Sequence, residues 1–191
     1  AKVASQMFKT QVALCWLGAS AHQAPANMLV LEPTDREALK VQGEAMVEGR
    51  AALFSRTLPA PDYLVTSDAF ARRGKFADAA NLLQRGLADN PRDVESWLAL
   101  GLALVGHADG FVTPAAVQAF GRAKAIDPGH PGAEYFLGFA YLQSGEVRAA
   151  RAVWASLVDR SPPDAPWREG LAAEVARLDD MIARAPMLQG Q

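Results

Sequence analysis

The side chains that most often carry catalysis or bind metals are few in this chain and widely separated. Its three histidines, His22, His107 and His130, form no group at metal-ligand spacing with one another or with a cysteine. The single cysteine, Cys15, has no adjacent histidine or asparagine that would activate a thiolate nucleophile. The sequence also contains no glycine-rich phosphate loop and no C-x-x-C-H motif for haem attachment. We therefore predict a non-enzymatic protein without catalytic residues, bound metal or cofactor.

The composition excludes several other classes of protein. Half of the 191 residues are hydrophobic, which is enough for a sizeable core. The 19 Lys and Arg stand against 21 Asp and Glu, so no basic surplus exists to neutralise the phosphates of a nucleic acid. No apolar run reaches the roughly 18 residues that a membrane-spanning helix needs. One cysteine cannot form an internal disulfide framework.

Residues 1–33 allow two interpretations, and we treat them as a leader or tail. Residues 7–21 (MFKTQVALCWLGASA) contain one lysine, a short apolar run and a small-residue Ala-Ser-Ala stretch, as signal peptides do. The run is short and carries a single positive charge, so a short helix packing on the rest of the chain is the alternative. Cys15 is a poor lipidation acceptor, because Leu14 stands where a small residue is needed.

Internal repeats are the strongest signal in the sequence. Ser67 and Gly101 are 34 residues apart, as are Ala116 and Ala150, whereas Gly101 and Gly138 are 37 apart. One insertion of three residues between positions 104 and 116 explains every offset. The central unit follows the tetratricopeptide pattern of W-x2-L-G, then A-x3-F, then proline. Its residues are Trp97, Leu100, Gly101, Leu104, Ala116, Phe120, Ala123 and Pro128.

These offsets predict an all-α tetratricopeptide-repeat solenoid of three helix-turn-helix repeats. Neither helix of such a repeat can bury its apolar stripe alone, so consecutive repeats must stack. Small residues such as Gly101 and Gly138 let neighbouring helices approach closely. Gly74 and Gly145 suit the turns inside repeats, where a positive φ is needed. The insertion lengthens the middle turn at 106–113.

Helix signals outside the three repeats complete the domain organisation. Thr34 and Glu37 form a capping-box pattern that opens an N-terminal packing helix at 34–58. The solenoid occupies 59–184 and ends in a capping helix that follows Trp167. That helix carries an apolar stripe, as a soluble solenoid end requires. The stripe consists of Leu171, Val175, Leu178 and Ile182, and residues 185–191 form a C-terminal tail.

A second stripe on the first helix of each repeat predicts a peptide-binding groove. It lies roughly 100° round the helix from the core stripe and faces the concave side of the solenoid. The residues are Leu64, Asp68 and Arg72 in the first repeat, Leu98, Leu102 and Val105 in the second, and Tyr135, Phe139, Leu142 and Gln143 in the third. Such a groove suits an apolar helix with a charged end. The alternative is that Tyr135, Phe139 and Leu142 pack internally on the capping helix.

The sequence resembles the C-terminal tetratricopeptide domain of cytochrome c maturation proteins of the CcmI/CycH type. A related stand-alone subunit serves the nitrite-reductase haem lyase. The resemblance covers roughly residues 37 to 182 and is most specific in two segments. These are the extended turn with its helix start, 112–116 (VTPAA), and 161–168 (SPPDAPWR). Further similarity lies in 125–132 (AIDPGHPG) and 135–138 (YFLG).

This resemblance implies a periplasmic chaperone that holds apocytochrome c by its C-terminal helix and delivers it to haem lyase subunits. Members of the family commonly have N-terminal membrane helices, which we do not find here. The chain is then either the excised domain or a variant without the anchor, and membrane contact requires an anchor outside this sequence. A general tetratricopeptide scaffold for an envelope or secretion complex is the alternative function.

Overall fold

The computed structural model describes residues 33–54 and 59–188, and these residues form helices and turns without a strand. The predicted leader therefore lies outside the described residues, apart from its last position. The helices are α1 (Pro33–Ala51), α2 (Asp62–Ala71), α3 (Phe76–Asp89), α4 (Val94–His107), α5 (Pro114–Ile126), α6 (Gly132–Gln143), α7 (Val147–Arg160) and α8 (Arg168–Leu188). The last helix continues past the predicted solenoid limit at 184.

Consecutive helices pack as three hairpins that stack on one another. Helices α2 and α3, α4 and α5, and α6 and α7 form the pairs, and α3 packs on α4 as α5 does on α6. Helix α8 packs against α7 at the end of the stack. The predicted all-α repeat solenoid with a capping helix is confirmed.

Close approach between the helices of a pair depends on the glycines at the predicted positions. A Cβ atom on Gly101 would lie 2.6 Å from the ring of Phe120. A Cβ atom on Gly138 would likewise collide with the indole of Trp154, which is fully buried. Gly74 and Gly145 have φ values of 72° and 78° in the turns inside the first and third repeats. Both uses of glycine follow the sequence prediction.

The middle turn is longer than its neighbours because it carries the three-residue insertion. After α4, Asp109 and Gly110 adopt φ values of 53° and 89°, which reverse the chain. The Thr113 side chain then accepts a hydrogen bond from the backbone N–H of Ala116 at 3.2 Å, and Pro114 is the first helical residue. This N-cap arrangement begins α5 within the segment 112–116, which carries the helix start in the sequence.

The capping helix covers the open end of the third repeat. Leu171 and Leu178 of α8 are buried in one cluster with Trp154 of α7, and Val175 packs against that cluster. At the rim, Arg151 donates two hydrogen bonds to the Asp179 carboxylate, at 2.7 and 3.1 Å. These bonds lower the pKa of Asp179.

The N-terminal helix packs on the first helices of the repeats. Helix α1 contacts α2 and α4, the two helices that line the concave side in the first two repeats. Its apolar side chains include Met46, which is buried, and Leu39, which is partly buried, and the partly buried Leu53 follows the helix. The concave surface of the first two repeats is therefore covered by a segment of the same chain.

Candidate peptide-binding groove

The first helices of the three repeats, α2, α4 and α6, carry the predicted groove residues at equivalent positions. The 34- and 37-residue offsets make Asp68, Leu102 and Phe139 equivalent, one from each repeat. The side chains at these positions do not share one environment, because α1 packs on α2 and α4 whereas the cluster beneath α8 packs around α6. The groove thus has a covered part and a partly open part.

The covered part contains the apolar residues of the second repeat. Leu98, Leu102 and Val105 are at most 5% exposed and share a cluster with Met46 of α1. The stripe expected to lack a structural partner therefore has one. Leu64 is also buried, but it packs in a separate cluster with residues of α3 and α4. Peptide binding by these four residues stays a prediction.

Arg50, near the end of α1, forms ion pairs with one acidic residue from each of the first two repeats. Its Nη1 and Nη2 donate to the two carboxylate oxygens of Asp68 at 2.9 and 2.6 Å. Its Nε donates to Oε1 of Glu95 at 3.1 Å. Arg50 and Glu95 are 3% and 4% exposed, so these ion pairs are shielded from water. A planar guanidinium suits this arrangement, since its donors point in two fixed directions.

Gly43 allows the backbone of α1 to approach the end of α2. A Cβ atom at this position would lie 2.6 Å from the carbonyl carbon of Ala71 and 3.2 Å from Cα of Arg72. Every other residue type would push α1 away from α2. The cavity left in this interface measures only about 10 Å³, which is about the smallest space that can hold one water molecule.

The segment that follows α1 contacts His130, in the loop that precedes the third repeat. The Phe54 ring stacks on the imidazole with a centroid separation of 4.4 Å. The backbone N–H of Gly132 donates to His130 Nδ1 at 3.1 Å, and His130 Nε2 lies 3.4 Å from the carbonyl oxygen of Leu53. Because Nδ1 accepts the Gly132 hydrogen bond, Nε2 is the ring nitrogen that can donate a hydrogen bond to the Leu53 carbonyl oxygen.

The partly open part of the groove lies on α6. Phe139 and Leu142 are half-buried and pack at the edge of the cluster around Trp154. Tyr135 is held more firmly, because its ring stacks on Trp154 and its carbonyl accepts the indole hydrogen bond at 3.0 Å. Internal packing therefore accounts for Tyr135. It also accounts for one side of the Phe139 ring and one side of the Leu142 side chain.

The two predicted polar contacts lie at the margins of the groove. Gln143 ends α6 and is exposed, and it lies near Gly110 of the extended middle turn. Arg72 follows α2 as its C-cap and is also exposed. Both side chains are free to reach solvent, so either can meet the polar end of a bound segment.

Sequence reasoning identified Asp68 but missed Arg50, Glu95, Gly43 and His130. One signal was present, because Asp68 occupies the position that Leu102 and Phe139 occupy in the other repeats. An acid at an apolar repeat position predicts a buried cation nearby. The partner could not be named, since it lies outside the repeats and its contact depends on how α1 folds back.

In the part of the chain that the structure describes, His, Cys, Asp and Glu side chains nowhere gather in threes to hold a metal ion. None of the described helices combines the length and apolar character that crossing a bilayer requires.

Comparisons with known proteins find the same architecture. Two sequence families, both described as tetratricopeptide repeat, match residues 64–131 and 113–174. The solved structure of SycD, the type III secretion translocator chaperone of Yersinia enterocolitica, superposes with a TM-score of 0.51. It covers 69% of this chain and 99% of SycD at 15% identity, so this likeness concerns the fold alone.

Two curated relatives share more of the sequence. The cytochrome c-type biogenesis protein CycH of Bradyrhizobium diazoefficiens is 34% identical over 114 residues, which are 60% of this chain and 31% of that protein. CycH of Rhizobium meliloti is 31% identical over 112 residues, 57% of this chain and 29% of that protein. The predicted CycH-type resemblance is confirmed, and it spans less than a third of each relative.

Proposed function

We propose that this chain, in which residues 64–131 and 113–174 match tetratricopeptide-repeat models, binds a protein segment, specifically the C-terminal helix of apocytochrome c. In this role it is a non-enzymatic chaperone that keeps the apoprotein available for haem lyase subunits in the periplasm. Tetratricopeptide modules present extended concave surfaces, which are suited to hold a helix or peptide. Neither nucleic acid nor membrane contact forms part of the proposal.

One observation carries the proposal, namely the similarity to two CycH proteins over more than half of this chain. Those relatives are described as cytochrome c-type biogenesis proteins. The similarity to CycH exceeds 30% identity, whereas the shared repeat architecture alone would suit many unrelated partners.

The structure supports α6 and its margins as the first contact for such a helix. Phe139 and Leu142 offer apolar surface that is only half-buried, and Gln143 offers an amide beside them. A helix laying its apolar face here would meet Phe139 as an anchor, with Gln143 or Arg72 near its polar or carboxylate end. Aromatic anchors with a polar rim are typical of protein interfaces.

The test is calorimetric titration of the 191-residue chain with a synthetic peptide of an apocytochrome c C-terminal helix. A scrambled peptide of the same composition is the control ligand. We expect saturable binding of the native peptide only, and Phe139→Ala should raise Kd about tenfold or more. Val117→Ala is the matched control variant, because Val117 is an exposed apolar residue of α5.

Two results would contradict the proposal. Equal binding of the scrambled peptide would mean that the surface takes apolar segments without recognising a cytochrome. No binding by the folded chain would favour the general scaffold of an envelope or secretion complex, and partner capture would then identify its ligand. Export of the full-length protein is tested separately with an alkaline phosphatase fusion, which is active only outside the cytoplasm.

A further inference from the structure

The covered part of the groove already holds a ligand-like helix from the same chain. We propose that α1 is an internal occupant of this groove, and that the partner replacing it is an amphipathic helix with an arginine or lysine facing Asp68 and Glu95. The inference rests on the proposed function only in taking the concave surface as the binding surface. It adds the chemistry of the ligand and the competition with α1.

The acidic pair sets the charge of any occupant. Asp68 belongs to the first repeat and Glu95 to the second, and their carboxylates meet at the guanidinium of Arg50. Both are largely shielded from water, with side chains 15% and 5% exposed. Carboxylates in such a place need a cation, because burying charge without a partner is strongly unfavourable. An apolar helix lacking a cation would therefore be rejected.

In α1, two buried apolar residues lie three and four positions before the arginine that contacts the acidic pair. Met46 and Val47 of α1 are 6% and 3% exposed, and Arg50 follows on the same side of the helix. Leu39, in the first half of α1, shares a cleft with Gly106 at the C-terminal end of α4. Arg50, near the C-terminal end of α1, contacts Glu95 at the N-terminal end of α4. The occupant thus runs antiparallel to α4. This gives the expected register for a partner helix.

The repeats do not depend on α1 for most of their own packing. The cluster within the first two repeats consists of residues from α2 to α5, and the cluster beneath the capping helix involves α6 to α8. Among the described residues, the cluster around Leu98 and Leu102 contains the buried α1 residue Met46, whereas the other two clusters contain no buried residue of α1. Those two clusters therefore stay complete when α1 leaves, which is the condition for its exchange with another helix.

The test asks whether the groove binds its own helix when that helix is supplied separately. The probe is a fluorescein-labelled synthetic peptide of residues 33–54, measured by anisotropy with the 191-residue chain. Gly43→Leu displaces the internal copy, because its side chain meets the Ala71 carbonyl. Glu44→Leu is the matched control, since it adds the same side chain at the exposed neighbouring position.

We expect Gly43→Leu to bind the probe at least tenfold more tightly than either the wild-type chain or Glu44→Leu. A probe carrying Arg50→Met should lose at least tenfold in affinity for the same variant. Circular dichroism checks that the repeats remain helical. If Gly43→Leu does not fold, Arg50→Glu in the chain displaces α1 by charge repulsion instead, and the unmodified probe is used again.

The apocytochrome peptide separates this inference from the proposed function. Tighter binding of that peptide to Gly43→Leu supports both. Binding of equal strength to wild type and Gly43→Leu keeps the proposed function and overturns the competition with α1. In a third outcome, the 33–54 probe binds in an arginine-dependent way while the apocytochrome peptide does not bind. That result supports α1 as the internal occupant and contradicts apocytochrome c as the ligand. If no variant binds the probe more tightly than wild type, the inference is wrong.

Discussion

Replacing Gly138 by alanine tests the packing of the third repeat. The new Cβ atom would lie 2.8 Å from Cε2 of Trp154, and closer still to its Nε1 and Cδ1 atoms. Carbon atoms in contact prefer roughly 3.5 to 4.0 Å, so the indole must move by about an ångström. Trp154 is fully buried, and its Nε1 donates to the carbonyl oxygen of Tyr135 at 3.0 Å. A shift of that size would break this hydrogen bond.

Three contributions determine the expected change in the free energy of unfolding. Overpacking a well-packed interior destabilises by about 1 to 3 kcal/mol. Loss of the indole hydrogen bond adds about 1 kcal/mol. Alanine in place of glycine inside a helix recovers about 1 kcal/mol of helix propensity. The last two terms nearly cancel, so we expect a net destabilisation of about 1 to 3 kcal/mol.

Gly121→Ala is the matched control for this substitution. Gly121 also lies inside a helix, α5, but no neighbouring atom is within 4 Å of its potential Cβ position. Only the propensity contribution remains, so this variant should be about 1 kcal/mol more stable than wild type. The same substitution is therefore expected to act with opposite sign at the two glycines.

Urea denaturation and thermal melting, both followed by circular dichroism at 222 nm, measure the two changes. For a chain of this size, Tm should fall by roughly 3 to 9 °C for Gly138→Ala and rise by roughly 3 °C for Gly121→Ala. A Gly138→Ala chain as stable as wild type would refute the reasoning. It would mean that α6 and α7 do not meet at Gly138 and Trp154.

Three further changes test the cap, a buried acid and the tyrosine. Thr113→Ala should lower the free energy of unfolding by about 1 kcal/mol, because Ala116 loses its capping acceptor; urea denaturation measures this. Burial raises the pKa of Glu174, so the native state keeps its proton to higher pH than the unfolded chain does, and stability falls as pH rises through the folded pKa. Glu174→Gln should therefore melt above wild type at pH 8 but not at pH 3, and a gain at both pH values would contradict this origin. Tyr135→Ala should destabilise by about 2 kcal/mol, less than a fully buried aromatic, since its ring stacks on Trp154 but is not fully buried; an unchanged melting curve would show that the ring serves only binding.

The sequence determined the repeat architecture because that architecture depends on the spacing of residues within and between neighbouring repeats. The offset of 37 residues relates Gly101 to Gly138, and these two glycines face the aromatic rings of Phe120 and Trp154. The cap at Thr113 is equally local, since a hydroxyl and a backbone N–H three residues later are enough to form it. Such features need no knowledge of distant segments.

The tertiary structure decided what covers the groove. Arg50 meets Asp68 and Glu95 across 18 and 45 residues of chain, and no periodic pattern connects these positions. Their contact follows from α1 folding back onto α2 and α4, which close backbone approach at Gly43 permits. The sequence predicted an N-terminal packing helix at 34–58. Only the three-dimensional arrangement shows that it packs in the concave groove, because an amphipathic stripe specifies a buried face without specifying its partner.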